Sequence, residues 1–245
     1  MFPATGQPLL AFAFFLAIVL FVGGCRKAPQ EKPVQPEEAL NPEVAGRAEV
    51  VAIRKLGGRV KVDEQNLRVI VAVHLPTTQI TDAGLACLTS LTELRLLDLS
   101  GTKVTDAGLE HIKGLTHLQT LYLPFTEING DGLKYLHKLT QLQVLDLNKT
   151  RISDAALKHL KGLSKLQVLS LMETRIGDAG LAHLEGLTSL ERLDLSSTQV
   201  TDAGWKHLQS LTRLVSLNVS YTQVTEAGRA ELQKKLPKVK IKMGQ

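Results

Sequence analysis

From Leu67 onwards the apolar positions follow one pattern that returns every 24 residues. In the copy from Leu91 to Gly114 the leucines stand at 91, 94, 97 and 99, followed by Val104, Leu109 and Ile112. Copies in the same register begin at Leu115, Leu139, Leu163, Leu187 and Leu211, and a more divergent one at Leu67. Seven copies thus follow one another without insertion. A fixed period of this size predicts a solenoid, in which each repeat buries its apolar side against its neighbours.

Within one repeat the spacing changes character. Leu97 and Leu99 are two apart, which predicts a short strand with both side chains inward. Leu96, Asp98 and Ser100 then fall on the opposite face. Leu109 and Ile112 are three apart, which predicts a short helix. Thr105 is a cap-forming residue ahead of it, and Asp106 places negative charge in its first turn. Thr81, Asn129, Ser153, Thr201 and Thr225 hold the same cap position. Gly177 is the exception and predicts a helix with a weaker start.

Two columns carry structural expectations. Gly108 recurs as Gly84, Gly132, Gly180, Gly204 and Gly228, but Ala156 fills the slot once. An L-residue is therefore accepted, and the requirement is small size for close packing rather than a left-handed backbone. Thr102 recurs in all seven copies where the chain turns out of the strand. Its hydroxyl both donates and accepts, so the column is expected to satisfy buried turn backbone and tie each turn to the next.

These residues resemble the leucine-rich repeat family. Its pattern, L-x-x-L-x-L-x-x-N/C-x-L, stands here as Leu94, Leu97, Leu99, Thr102 and Val104, with Thr in place of Asn or Cys. The second half, T-D-A-G-L-x-x-L, is similar to the cysteine-containing and ribonuclease-inhibitor-like subclasses. The resemblance covers about residues 43–245. It implies an α/β solenoid: a right-handed arc with parallel strands on the concave face and short helices on the convex face. It also implies binding, usually of protein, and no catalysis. No F-box-like segment accompanies the repeats, so a ubiquitin-ligase role does not carry over.

The chain ahead of the array reads differently. Residues 1–24 carry no charged side chain, and Leu9 to Val22 is an apolar run of 14 residues, a signal-peptide length that is short for a membrane span. Val22-Gly23-Gly24-Cys25 resembles a bacterial lipobox, which implies cleavage before Cys25 and lipid on its thiol; the usual basic residue of the first segment is missing. Retention of the run as an uncleaved anchor is the alternative. Arg26 follows Cys25, and by the same resemblance the destination is the outer membrane or the periplasmic face of the envelope. Residues 25–42, with four prolines and mixed charge, predict a tether that reaches roughly 50 Å when extended. Residues 43–66 lack the repeat pattern and predict an N-terminal cap. That cap is a helix with Val44, Val51 and Leu56 among its apolar positions, stopped by Gly57-Gly58, then a strand at Arg59–Val62. The repeats occupy 67–234, and the basic residues 235–245 close the far end with a last strand. Arg229 stands where earlier repeats have an inward apolar residue and is expected to lie over Trp205.

The formal net charge of +5 lies entirely beyond Gly228, in Arg229 and five lysines against Glu231. A short basic end without interleaved aromatics does not point to nucleic acid. It suits an edge strand protected from pairing. Cys87 is the second of two cysteines, and acylation of Cys25 would leave it no partner.

Two columns invite a chemical reading. His111, His159, His183 and His207 share one helical position, but neighbouring helices stand about 8–10 Å apart and no carboxylate is fixed between them, so no metal is expected. On the strands the central outward column reads His74, Asp98, Tyr122, Asp146, Ser170, Asp194 and Asn218. Alternate members lie roughly 10 Å apart, a spacing that by itself allows acid catalysis. No lid, deep pocket, nucleophile motif or phosphate loop accompanies it, so neither an enzyme nor a cofactor is expected. The expected site is instead a docking face for a protein or peptide. Leu96, Tyr122, Val144, Val168 and Met172 would form an apolar centre, with Phe125 at the turn beside it and Asp98, Asp146 and Asp194 at its rim. The alternative is a structural or glycan-associated envelope spacer with no protein ligand. The partner's identity and the oligomeric state stay open.

Overall fold

The computed structural model describes residues 40–244. The apolar run, Cys25 and nearly all of the tether lie outside them. Nine strands form one sheet in simple sequence order, β1 to β9. β1 (Arg59–Val62) runs antiparallel to β2 (Ile70–His74). From there every pairing is parallel: β3 (Leu96–Asp98), β4 (Thr120–Tyr122), β5 (Val144–Asp146), β6 (Val168–Ser170), β7 (Arg192–Asp194), β8 (Ser216–Asn218) and β9 (Lys240–Lys242). The register advances by one repeat per strand, so Leu97 pairs with Leu121, then Leu145, Leu169, Leu193 and Leu217. The ladder continues past the strands, as in Phe125 N–H to Asn148 O at 3.0 Å.

The core is a set of leucine columns. Leu94, Leu97, Leu99, Leu109, Leu115 and Leu118 are completely buried, and their counterparts repeat this down the array. The convex segments are mostly 3₁₀ helices: Asp82–Leu88, Gly108–Ile112, Asp131–Lys138, Asp154–Leu160 and Asp202–His207. Three-residue spacing of Leu109 and Ile112 matches a helix with three residues per turn. These helices need more width than strands 4.7–4.9 Å apart, so the sheet takes the inner side of the arc.

Several local expectations are revised. The segment starting at Gly177 opens as a four-residue α-helix, Asp178–Leu181 (α3), and has no side-chain cap hydrogen bond at its head. Asp154 of the preceding repeat accepts from the Gly177 N–H at 2.7 Å, as Asp178 does from the Thr201 N–H one repeat on. The N-terminal cap is two helices, α1 (Pro42–Ala45) and α2 (Ala48–Lys55), rather than one. Val50 and Ile53 are buried, whereas Val51 is on the outside, because the break at Gly46 resets the helical phase. Gly57, at φ +80°, ends α2 as expected. Leu67 is exposed, since it lies in the turn of the β1–β2 hairpin and has no repeat before it. Arg229, in α4 (Glu226–Lys235), turns its guanidinium to Glu226 at 2.7 Å rather than serving Trp205 as a lid.

The Thr102 column also acts differently. Each hydroxyl donates to the carbonyl three residues back in its own turn: Thr102 to Leu99 at 2.7 Å, Thr150 to Leu147 at 2.7 Å, Thr198 to Leu195 at 2.6 Å. It closes a turn and does not link two. The residue before each threonine has positive φ, from 54° at Lys149 and Glu173 to 67° at Gly101.

Candidate functional site

The sheet's outward face is built from two columns. The first reads Ala72, Leu96, Thr120, Val144, Val168, Arg192, Ser216 and Lys240 in pairing register. The second reads His74, Asp98, Tyr122, Asp146, Ser170, Asp194, Asn218 and Lys242. Parallel pairing without a slip brings Leu96, Tyr122, Val144 and Val168 onto one face of adjoining strands. Thr120 interrupts the apolar line between Leu96 and Val144. All four are half-buried, as is Met172. Phe125 is 50% exposed and occupies the positive-φ turn position. Lys149 stands 4.9 Å over its ring and 3.1 Å from Glu173, so three successive turns are coupled through one cation.

The carboxylates do not form an exposed rim. Asp98 and Asp146 are 2% and 4% exposed. Asp98 Oδ1 accepts from Ser100 N at 3.0 Å and Ser100 Oγ at 2.5 Å. Asp194, half-buried, accepts from Ser196 N at 2.8 Å and Oγ at 2.6 Å, and from Asn218 Nδ2 at 3.1 Å. Asp146 has Asn148 where those two have serine, and accepts from Asn148 N at 2.9 Å. The Asn148 side chain faces onward, accepting from Ser170 Oγ at 2.5 Å and Met172 N at 2.8 Å. Asp146 therefore lacks the hydroxyl donor of its equivalents. Burial first, then the charges of Asp194 and Asp98, raise its pKa to about 7, against the pull of the single backbone N–H.

On the convex side His207 Nδ1 lies 2.5 Å from Glu185 Oε1, and desolvation holds His159 below the ordinary histidine value. Cys87 is half-buried and its thiol is pushed up by burial.

Three exposed or unpaired groups near the sheet lie outside the site expected from the sequence. Val215 and Tyr221, 45% and 67% exposed, flank β8. Arg192 sits half-buried at the end of the apolar line, with its Nε buried and without a hydrogen-bond partner. Tyr221 holds the position of Phe125 four repeats on, and that register was the available signal.

A family model described as a leucine-rich repeat region matches residues 66–243. Among solved structures, an internalin (inlF) from Listeria monocytogenes aligns at TM-score 0.54 with 22% identity, over 82% of this chain and 64% of that one. This chain thus spans less than two-thirds of that internalin. Internalin C2 (inlC2) from the same organism aligns at TM-score 0.53 and 22% identity, over 82% of this chain and 92% of that one. At such identity the likeness is one of fold. No curated protein matches in sequence.

Proposed function

The chain belongs to the leucine-rich repeat family, and from that premise we propose that its concave sheet docks another protein or an extended peptide. Repeats of this kind are generally binding scaffolds without catalysis. One observation supports the assignment to the sheet. Leu96, Tyr122, Val144 and Val168 are half-exposed, side by side and mixed with polar groups across four parallel strands. A spacer has no use for such a face and would carry uniformly small polar residues there.

The test uses residues 43–245 as bait against membrane and envelope extracts. A partner retained by the parent array should be lost by Tyr122→Ala/Val144→Ser, with folding checked by circular dichroism. Tyr122→Ala alone should weaken binding by about 2 kcal/mol. Equal retention by both arrays moves the site off this face.

We further infer that the protein is an exported lipoprotein of the cell envelope, with lipid at Cys25 and the array held off the membrane by its proline-rich tether. The Val22–Cys25 sequence after a 14-residue apolar run supports this. Mass spectrometry of the mature N-terminus decides it: a chain that starts at Met1 removes the lipoprotein reading. The subclass, cysteine-containing or ribonuclease-inhibitor-like, rests on the T-D-A-G-L-x-x-L half of the repeat.

A further inference from the structure

The charged groups of the concave sheet differ in what the fold already asks of them. The acidic ones are engaged. Asp98 and Asp194 each accept a backbone N–H and a serine hydroxyl of their own turn, and Asp194 also accepts from Asn218. Asp146 is buried and carries a proton for much of the time at neutral pH. One cation, Arg192, is not engaged. Among the described residues Arg192 makes no ion pair and no side-chain hydrogen bond, and its Nε is buried without an acceptor. Its strand neighbour Asp194 is already held by Ser196 and Asn218. Val168 lies beside it on one side and Ser216 on the other. The next members of the two columns are the exposed Lys240 and Lys242.

Along the first column the face is therefore apolar at Leu96, Val144 and Val168 and cationic at Arg192 and Lys240. We propose that the concave sheet receives an extended acidic peptide segment, with apolar side chains along that line and a carboxylate on Arg192. This rests on the reading of the sheet as the docking face. A guanidinium suits the role because it meets a carboxylate through two parallel hydrogen bonds and stays charged at any working pH. Desolvation by the apolar neighbours strengthens such a pair relative to one in open water. From β3 to β7 is four strand spacings, roughly 19 Å, which an extended chain crosses in about six residues.

Labelled ten-residue peptides that share an alternation of Val and Ser and end in two Glu, two Gln or two Lys provide the probe, read by fluorescence polarisation. On the parent array the Glu peptide should bind about tenfold more tightly than the Gln peptide, and the Lys peptide most weakly. Arg192→Gln and Arg192→Met, the second keeping an apolar stem, should both bring the Glu peptide to the level of the Gln peptide. Neither should abolish binding of the Gln peptide, and matching melting curves show that the array is intact. Added salt should narrow the Glu–Gln difference in the parent only. A Glu preference that survives both substitutions, or that is absent from the parent, overturns the proposal. Binding that responds to Val144→Ser but does not rank by charge sinks this inference and leaves the docking face standing. Absence of any peptide binding that responds to Val144→Ser overturns both.

Discussion

At the scale of single residues, the turn after each strand sets the character of the repeat. The chain leaves Leu99, passes through a residue with positive φ, and returns with Thr102 facing the interior. Six of the seven positions in this turn column hold residues other than glycine, from Thr77 to Tyr221. Each carries a backbone cost on the order of 1 kcal/mol. The turn persists because the buried carbonyl three residues before the threonine then gains a hydroxyl donor. Thr150→Val keeps the shape and removes the donor to Leu147, so urea unfolding should show a loss of about 1–3 kcal/mol. Asp146 is the second informative residue. Its pKa is about 7 in the folded state and about 3.9 in an unfolded chain. The unfolded state therefore binds fewer protons between those values, and stability falls as pH rises from about 4 to about 7. Above that range the whole penalty is present. Asp146→Asn should unfold like the parent near pH 4 and be more stable by on the order of a few kcal/mol at pH 8. Parallel stability curves across that range would remove Asp146 as the source.

Between neighbouring elements, a small residue and a carboxylate lock successive repeats. Asp178 accepts from Thr201 N at 2.9 Å and Thr201 Oγ at 2.6 Å, one repeat on. Asp82 does the same to Thr105, and Asp202 to Thr225. The carboxylate fits because the next repeat presents glycine: a Cβ on Gly204 would stand 2.6 Å from Asp178 Oδ1, and one on Gly180 2.5 Å from Asp154 Oδ1. Where Gly130 replaces the aspartate, Ala156 replaces the facing glycine. The two positions compensate across the repeat boundary. Gly204→Ala alone should therefore cost about 1–3 kcal/mol by overpacking. Adding Asp178→Gly should recover part of it, with a coupling of about 1 kcal/mol or more in the double-mutant cycle. Additive losses would show that the pair does not interact.

For the array as a whole, stability depends on closing both ends. Val44, Val50 and Ile53 cover the first repeat, and Arg47 fastens the cap by donating to Arg68 O at 3.1 Å. At the other end Leu232, Leu236 and Val239 are buried. Both edge strands expose cations, Arg59 and Lys61 on β1 and Lys240 and Lys242 on β9. Like charge at the two edges opposes head-to-tail stacking of copies. Deletion of residues 43–66 would bare the apolar face of Ile70, Val73 and Leu75 and open an uncapped edge. The truncated array should aggregate on size-exclusion chromatography, whereas a soluble monomer with cooperative unfolding would contradict the cap.

The 24-residue period of leucines determined the solenoid, its strand order and the two outward columns, because one register repeated in the sequence leaves one way to bury every leucine. Small size at Gly108 was legible too, since Ala156 marks the limit of what the slot accepts. What lies across a repeat boundary was not legible. Nothing local says that Asp82 meets Gly108, or that Gly130 and Ala156 are one compensated pair, until adjacent coils are stacked. One glycine in a column of seven, Gly101, was too faint a sign of the positive-φ turn. The state of charge of the concave face also waited for the tertiary structure. Asp98, Asp146 and Asp194 look alike in the sequence, but the side chain two residues on, serine or asparagine, sets how many donors each receives. Burial on the packed sheet, with one backbone donor to set against it, raises the pKa of Asp146, and among the described residues the Nε of Arg192 is left buried without an acceptor.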